Sequence, residues 1–170
     1  LLKVFWIRFF SLKYSIFAHI YHPTTIEWII KFMTISVSYK NVSSKSKLSN
    51  RVFFVDEKFK IKNIKKYLSK QDYLFIEDLI KGKDLSKKIL VFDINSKKKI
   101  ILISLKSDTS SSNVENLGAK FYGTIKNLNE KDFIIETDTI HIKLKNFVSN
   151  FLLGTQLKSY SFDKYKSTKD

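Results

Sequence analysis

Three histidines, His19, His22 and His141, and two pairs of adjacent carboxylates, Asp56-Glu57 and Glu77-Asp78, are the residues best suited to acid–base or metal chemistry in this sequence. Hydrolysis assisted by two metals needs carboxylates, often with histidine or lysine, converging to hold cations a few ångströms apart. The three histidines lack the spacing of metal ligands. Neighbouring carboxylates on a helix or strand point apart, so both acidic pairs are expected to be solvated. Asp93 interrupts an apolar run and is expected to have a structural partner. Gly118 and Gly123 do not make a dinucleotide fingerprint, and no phosphate-binding loop motif occurs. The pattern assigns no catalytic residue and no metal ligand.

Composition narrows the classes further. A chain of 170 residues, 44% hydrophobic and 15% aromatic, can bury one sizeable core but is short for two complete domains. The absence of cysteine excludes disulfide frameworks and thiolate metal sites, and fits a reducing compartment, with the cytoplasm as the expected location. A formal charge of +15 attracts phosphates at long range. Arginine, the side chain best shaped for bidentate recognition of bases and phosphates, occurs only at Arg8 and Arg51. The remaining basic residues are lysines in a chain also rich in isoleucine, asparagine, phenylalanine and tyrosine, a set that shares AT-rich codons. The expectation for DNA is therefore weak, non-specific attraction.

The first 32 residues differ from the rest. They are aromatic-rich, with Glu27 as their only carboxylate, and Met33 stands where the lysine-rich globular pattern begins. Lys3, Arg8 and Lys13 interrupt the apolar run, which argues against a secretory signal and against a membrane span. Those charges also spread widely around a helix, unlike those of a mitochondrial presequence. Residues 1–32 are read as a leader outside the native domain, which then runs over residues 33–170.

The elements that must position any site alternate between strands and helices. Ile35, Val37 and Tyr39 predict a half-buried strand over 34–39, followed by a loop over 41–50. A second strand covers 51–55. Ile61, Ile64 and Leu68 recur at helical spacing, then Ser69 with Asp72 opens a helix carrying Tyr73, Ile76 and Ile80 and stopped by Gly82. Residues 89–94 and 100–105 are near-continuous apolar runs, suited to strands covered on both faces and joined as a hairpin. Ser112 and Glu115 have capping-box spacing before a helical stripe of Val114, Leu117, Phe121, Ile125 and Leu128. A strand follows over 132–136, and 140–144 fits either strand alternation or entry to the last helix.

The closing segment is the most distinctive. Phe147, Phe151 and Gly154 share one side of a helix, with Val148 and Leu152 beside them, while Asn150, Gln156 and Lys158 are expected to face water. Glycine at 154 is expected to let the backbone approach a neighbour closely. Leu153, Gly154, Tyr160, Phe162, Tyr165 and Lys166 resemble the helix, roughly G-x-x-L-G-x-Y-x-F-x-x-Y-K, that ends the amino-terminal domain of the leucyl (cytosol) aminopeptidases, with Thr155 to Ser159 lengthening the spacing. Gly118 and Ala119 resemble the small-residue pair that lets another helix of that domain lie close on its sheet.

That resemblance implies an α/β fold, a three-layer sandwich with a mixed central sheet, macro-domain-like in topology. It implies a non-catalytic domain that packs on its own C-terminal catalytic domain and helps to build a hexamer. The parent enzyme would remove N-terminal amino acids from peptides using two divalent metals, zinc or manganese, held by a downstream motif absent from this sequence. The fragment itself would carry no cofactor and meet no membrane. Two other readings stay open: a small DNA-binding protein, and a free-standing macro-like ligand binder.

Overall fold

The apolar residues that follow Asn50 form the middle strand of a mixed sheet. The computed structural model describes residues 4–9, 35–40, 50–128 and 132–160, the first two ranges as backbone. In chain order the elements are β1 (Val4–Phe9), β2 (Ile35–Lys40), β3 (Asn50–Asp56), a 3-10 turn (Lys62–Tyr67), α1 (Lys70–Lys81), β4 (Ile89–Asn95), β5 (Lys98–Leu105), α2 (Ser111–Ile125), β6 (Asp132–Glu136), a second 3-10 turn (Thr137–Thr139) and α3 (Phe147–Ser159). Strands lie in the order β2-β1-β6-β3-β5-β4. β3 runs parallel to both β5 and β6, whereas β4 is antiparallel to β5. β1, which falls within residues 1–32, pairs antiparallel with β6 and β2.

Period-two alternation along the central strands sends side chains to two separate cores. Val52, Phe54, Ile101, Ile103 and Leu105 face α2 and α3 and pack with Val114, Leu117, Phe121, Phe147 and Phe151. Phe53, Val55, Ile100 and Leu102 face the opposite way, against Ile64 of the first 3-10 turn and Ile76 of α1. Helices therefore cover both faces, and the α/β sandwich with a mixed sheet is the observed fold. Strands buried on both faces favour apolar residues at successive positions, which is why 100–105 reads as a near-continuous run broken at Ser104.

Backbone groups that leave the ladder find side-chain partners, as burial requires. Pairing of β3 with β6 ends at Phe53 opposite Glu136, so the next amide, Phe54 N–H, donates to Thr139 Oγ1 at 2.9 Å. Thr139 in turn donates to Glu136 O at 2.6 Å, which fixes the second 3-10 turn. At the start of β3, Asn50 Oδ1 accepts from Lys99 N at 2.9 Å and Nδ2 donates to Asp132 O at 3.1 Å, tying β5 to β6 across it. Asn50 thus belongs to the strand, not to the loop expected over 41–50; residues 41–49 lie outside the described residues.

Helix ends follow capping chemistry with one correction. Ser69 caps α1, its hydroxyl accepting from Asp72 N at 3.0 Å, and Gly82 closes the other end. Burial alone would raise the Asp72 carboxyl, but hydrogen bonds from Lys98 and Ser69 outweigh it and hold the group below its usual range. For α2 the cap is Ser110, which accepts from Asn113 N at 3.3 Å, and not Ser112. Three consecutive serines share cap chemistry, and the helix takes the earliest of them. Asn146 opens α3 at φ 62, a left-handed conformation that asparagine tolerates. Residues 140–144 are neither strand nor helix.

Candidate functional site

α2 and α3 lie against one another on one face of the sheet, and two glycines set how close they come. A Cβ on Gly154 would overlap the Glu115 carbonyl oxygen and sit 2.6 Å from its carbon. A Cβ on Gly118 would overlap the Phe151 carbonyl oxygen and sit 2.9 Å from its carbon. Each helix therefore offers a glycine to the other's backbone, and no side chain fits at either position. The small-residue pair Gly118 and Ala119 was expected to bring α2 close to the sheet; the structure places Gly118 against α3 instead. The reason is geometric, since the sheet-facing side of α2 is already filled by Val114, Phe121 and Ile125.

Thr155, fully buried beside Gly154, completes the contact. Its Oγ1 lies 2.8 Å from Phe151 O, one turn back, and 3.2 Å from Gly118 O on the facing helix. Below the pair, Phe151 meets Phe54 edge-on at 5.5 Å between ring centroids and Phe121 at 5.3 Å, while Phe147 meets Phe54 edge-on at 5.2 Å. Edge-to-face aromatic pairs stabilise by about 0.5 to 1.5 kcal/mol beyond the area they bury, so this cluster anchors α3 firmly.

The opposite side of α3 is apolar and exposed. Leu153, Leu157 and Tyr160 are 44%, 62% and 52% accessible, and their spacing of four and then three residues puts them on one stripe. Among the sequence-predicted motif residues, Gly118 and Gly154 are thus brought together, while Leu153 and Tyr160 line the outward stripe. Phe162, Tyr165 and Lys166 lie outside the described residues. Leu157 went unnoticed because a lone leucine in an amphipathic helix carries no signal until its face is known.

A second cluster, unnoticed in the sequence, sits under the first 3-10 turn. Arg51 Nη1 donates to Glu136 Oε1 at 2.9 Å, with both side chains buried. Burial pushes the Glu136 carboxyl up to about 7, with the nearby Asp138 adding to the rise and Arg51 and Lys66 opposing it. Lys66 Nζ reaches Asp138 Oδ2 at 2.8 Å, and the Tyr67 hydroxyl donates to the same carboxylate. Burial, then the Asp138 hydrogen bond, raises the Tyr67 phenol far above its ordinary value. The signal available in the sequence was Glu136 at the end of an apolar strand, in a chain with arginine only at Arg8 and Arg51.

The remaining candidates do not converge. His141 is exposed, and His19 and His22 lie outside the described residues. Glu77 accepts from Tyr73 and Asp78 pairs with Lys81, both at the surface, while Asp56 caps the turn after β3 by accepting from Lys58 N and Lys60 N. Asp93 is partnered by Lys99 across the hairpin. Among the described residues no group of three histidine, cysteine, aspartate or glutamate side chains could hold a metal ion. Nor is any helix among them long and apolar enough to cross a membrane.

Comparison with known proteins gives one result. No curated protein and no solved structure matches significantly. The family model for the N-terminal domain of the cytosol aminopeptidase family matches residues 52–169, from β3 through both glycine-bearing helices and beyond. The chain belongs to the cytosol aminopeptidase family and carries its N-terminal domain.

Proposed function

We propose that this chain is the non-catalytic part of a two-domain aminopeptidase, and that its task is to pack on the catalytic domain and help assemble the oligomer, a hexamer by family resemblance. The parent would release N-terminal amino acids from peptides in the cytoplasm with two zinc or manganese ions held by that second domain. The observation that carries the reading is the exposed pair Leu153 and Leu157 on α3. A closing helix clamped on one side by Gly154 and Phe151 has that side fully used, so its accessible leucines are free to meet another surface. Burying what remains accessible of the two leucines, about one full side chain in area, would contribute roughly 1.5 to 3 kcal/mol to the contact before ordering costs.

The test is co-expression of residues 1–170 with the catalytic domain of the same protein. Leu153→Lys with Leu157→Lys is expected to leave the melting temperature of the isolated domain within about two degrees, since both side chains lie at the surface and a lysine stem can cover the same apolar area. The same pair is expected to abolish co-purification with the catalytic domain. Unchanged co-purification would remove α3 from the interface.

A further inference from the structure

A cleft of about 720 Å³ opens along the flank of α2, outside the glycine contact and the apolar stripe. Lys88, from the approach to β4, Lys106, just past β5, Lys120 of α2 and Lys158 of α3 converge on it, and Asn113 and Asn116 add amide groups. Among the described residues the one carboxylate in its wall is Asp108. Lys106 is engaged by Glu57 at 3.4 Å, whereas Lys88, Lys120 and Lys158 have no carboxylate within ion-pair reach among the described residues. Gly123 is also part of the lining, and a Cβ there would meet nothing within 4 Å.

Four elements distant in sequence thus bring cations around a concavity far larger than one phosphate. Mutual repulsion among ammonium groups is relieved by an anion that reaches several at once, and lysine's flexible stem suits a ligand without fixed geometry. Among the described residues the lining contains no aromatic residue and no arginine. Single-stranded nucleic acids are held by stacking bases on aromatic rings, and base edges are read by the guanidinium fork, so the cleft offers nothing to a base. We propose that this cleft binds a linear oligophosphate, an extended chain of phosphate groups carrying no base.

Binding of sodium tripolyphosphate to the 170-residue chain, measured by calorimetry at 150 mM salt, tests the proposal. Saturable one-to-one binding is expected. Replacing Lys88, Lys120 and Lys158 together by glutamine should weaken it at least tenfold, and Lys120→Glu alone should weaken it severalfold, with melting curves confirming that both variants fold. Glutamine at Lys60, Lys62 and Lys70, exposed lysines on the other layer of the sandwich, removes the same charge and should change affinity less than twofold. Equal loss in the two triple variants would reduce the effect to net charge and overturn the site. So would the absence of binding, or tighter binding of an oligothymidylate or oligoglutamate of matched charge.

Discussion

The backbone of Gly154 in α3 rests directly on the Glu115 carbonyl of α2, and the space between them admits no Cβ. Three residues along α2, Gly118 repeats the relationship in the other direction against Phe151. The reciprocal contact fixes the axial register of the two helices, and so decides which side chains of α3 turn outward.

Replacing Gly154 by alanine forces the helices apart or bends one of them. The expected loss is roughly 2 to 3 kcal/mol, read as a lower urea midpoint with an unchanged slope. Gly123, in the same helix pair but facing open space, provides the contrast. Its replacement by alanine should raise stability by about 0.5 to 1 kcal/mol through helix propensity alone. Equal midpoints for the two variants would show that the close contact has no energetic consequence.

Thr155 links the helices through a hydroxyl that lies within reach of Gly118 O. Thr155→Val keeps the shape and removes the donor, and should cost about 1 kcal/mol. Thr155→Ser should retain most of that stability. If valine and serine variants melt together, the hydroxyl contributes nothing.

The cap of α2 distinguishes neighbouring serines. Ser110→Ala should cost about 1 kcal/mol because its hydroxyl accepts from Asn113 N, while Ser112→Ala should stay within about 0.3 kcal/mol. A larger loss at Ser112 would restore the capping box read from the sequence.

Glu136 should make stability depend on pH in an unusual direction for a carboxylate. Its folded value, about 7, lies above the ordinary 4.5, so the folded state holds a proton that the unfolded chain releases. The stability contributed by that proton is complete below about 4.5 and is lost as pH rises through about 7. Glu136→Gln keeps an acceptor for Arg51 and should flatten the midpoint-versus-pH curve across this window. Identical curves for the two proteins would mean that Glu136 is ionised throughout.

Much of the fold was legible because burial on two faces leaves a strong mark. The near-continuous run of β5, the Ser69-Asp72 start of α1 and the Val114, Leu117, Phe121 stripe of α2 follow from local rules of period and capping, whereas β4, read as covered on both faces, is the edge strand and only half-buried at Ile89, Val91 and Ile94. What Gly118 touches could not be read, because a glycine announces a close approach without naming the partner. The Arg51–Glu136 pair was hidden for a related reason: 85 residues separate its members, and only the parallel pairing of β3 with β6 brings their side chains within reach. The outward stripe of Leu153, Leu157 and Tyr160 became visible once Phe151 and Gly154 had fixed the inward side.

The central claim is that this domain assembles an enzyme without supplying its chemistry, and the most direct measurement is peptidase activity of the purified 170-residue chain. Leucine p-nitroanilide with added zinc or manganese is the assay, since two-metal hydrolysis needs converging ligands and no such group occurs among the described residues. The account predicts release of p-nitroaniline no faster than with metal alone, and activity once the chain is joined to its catalytic domain. Metal-dependent turnover by the 170 residues themselves would contradict it.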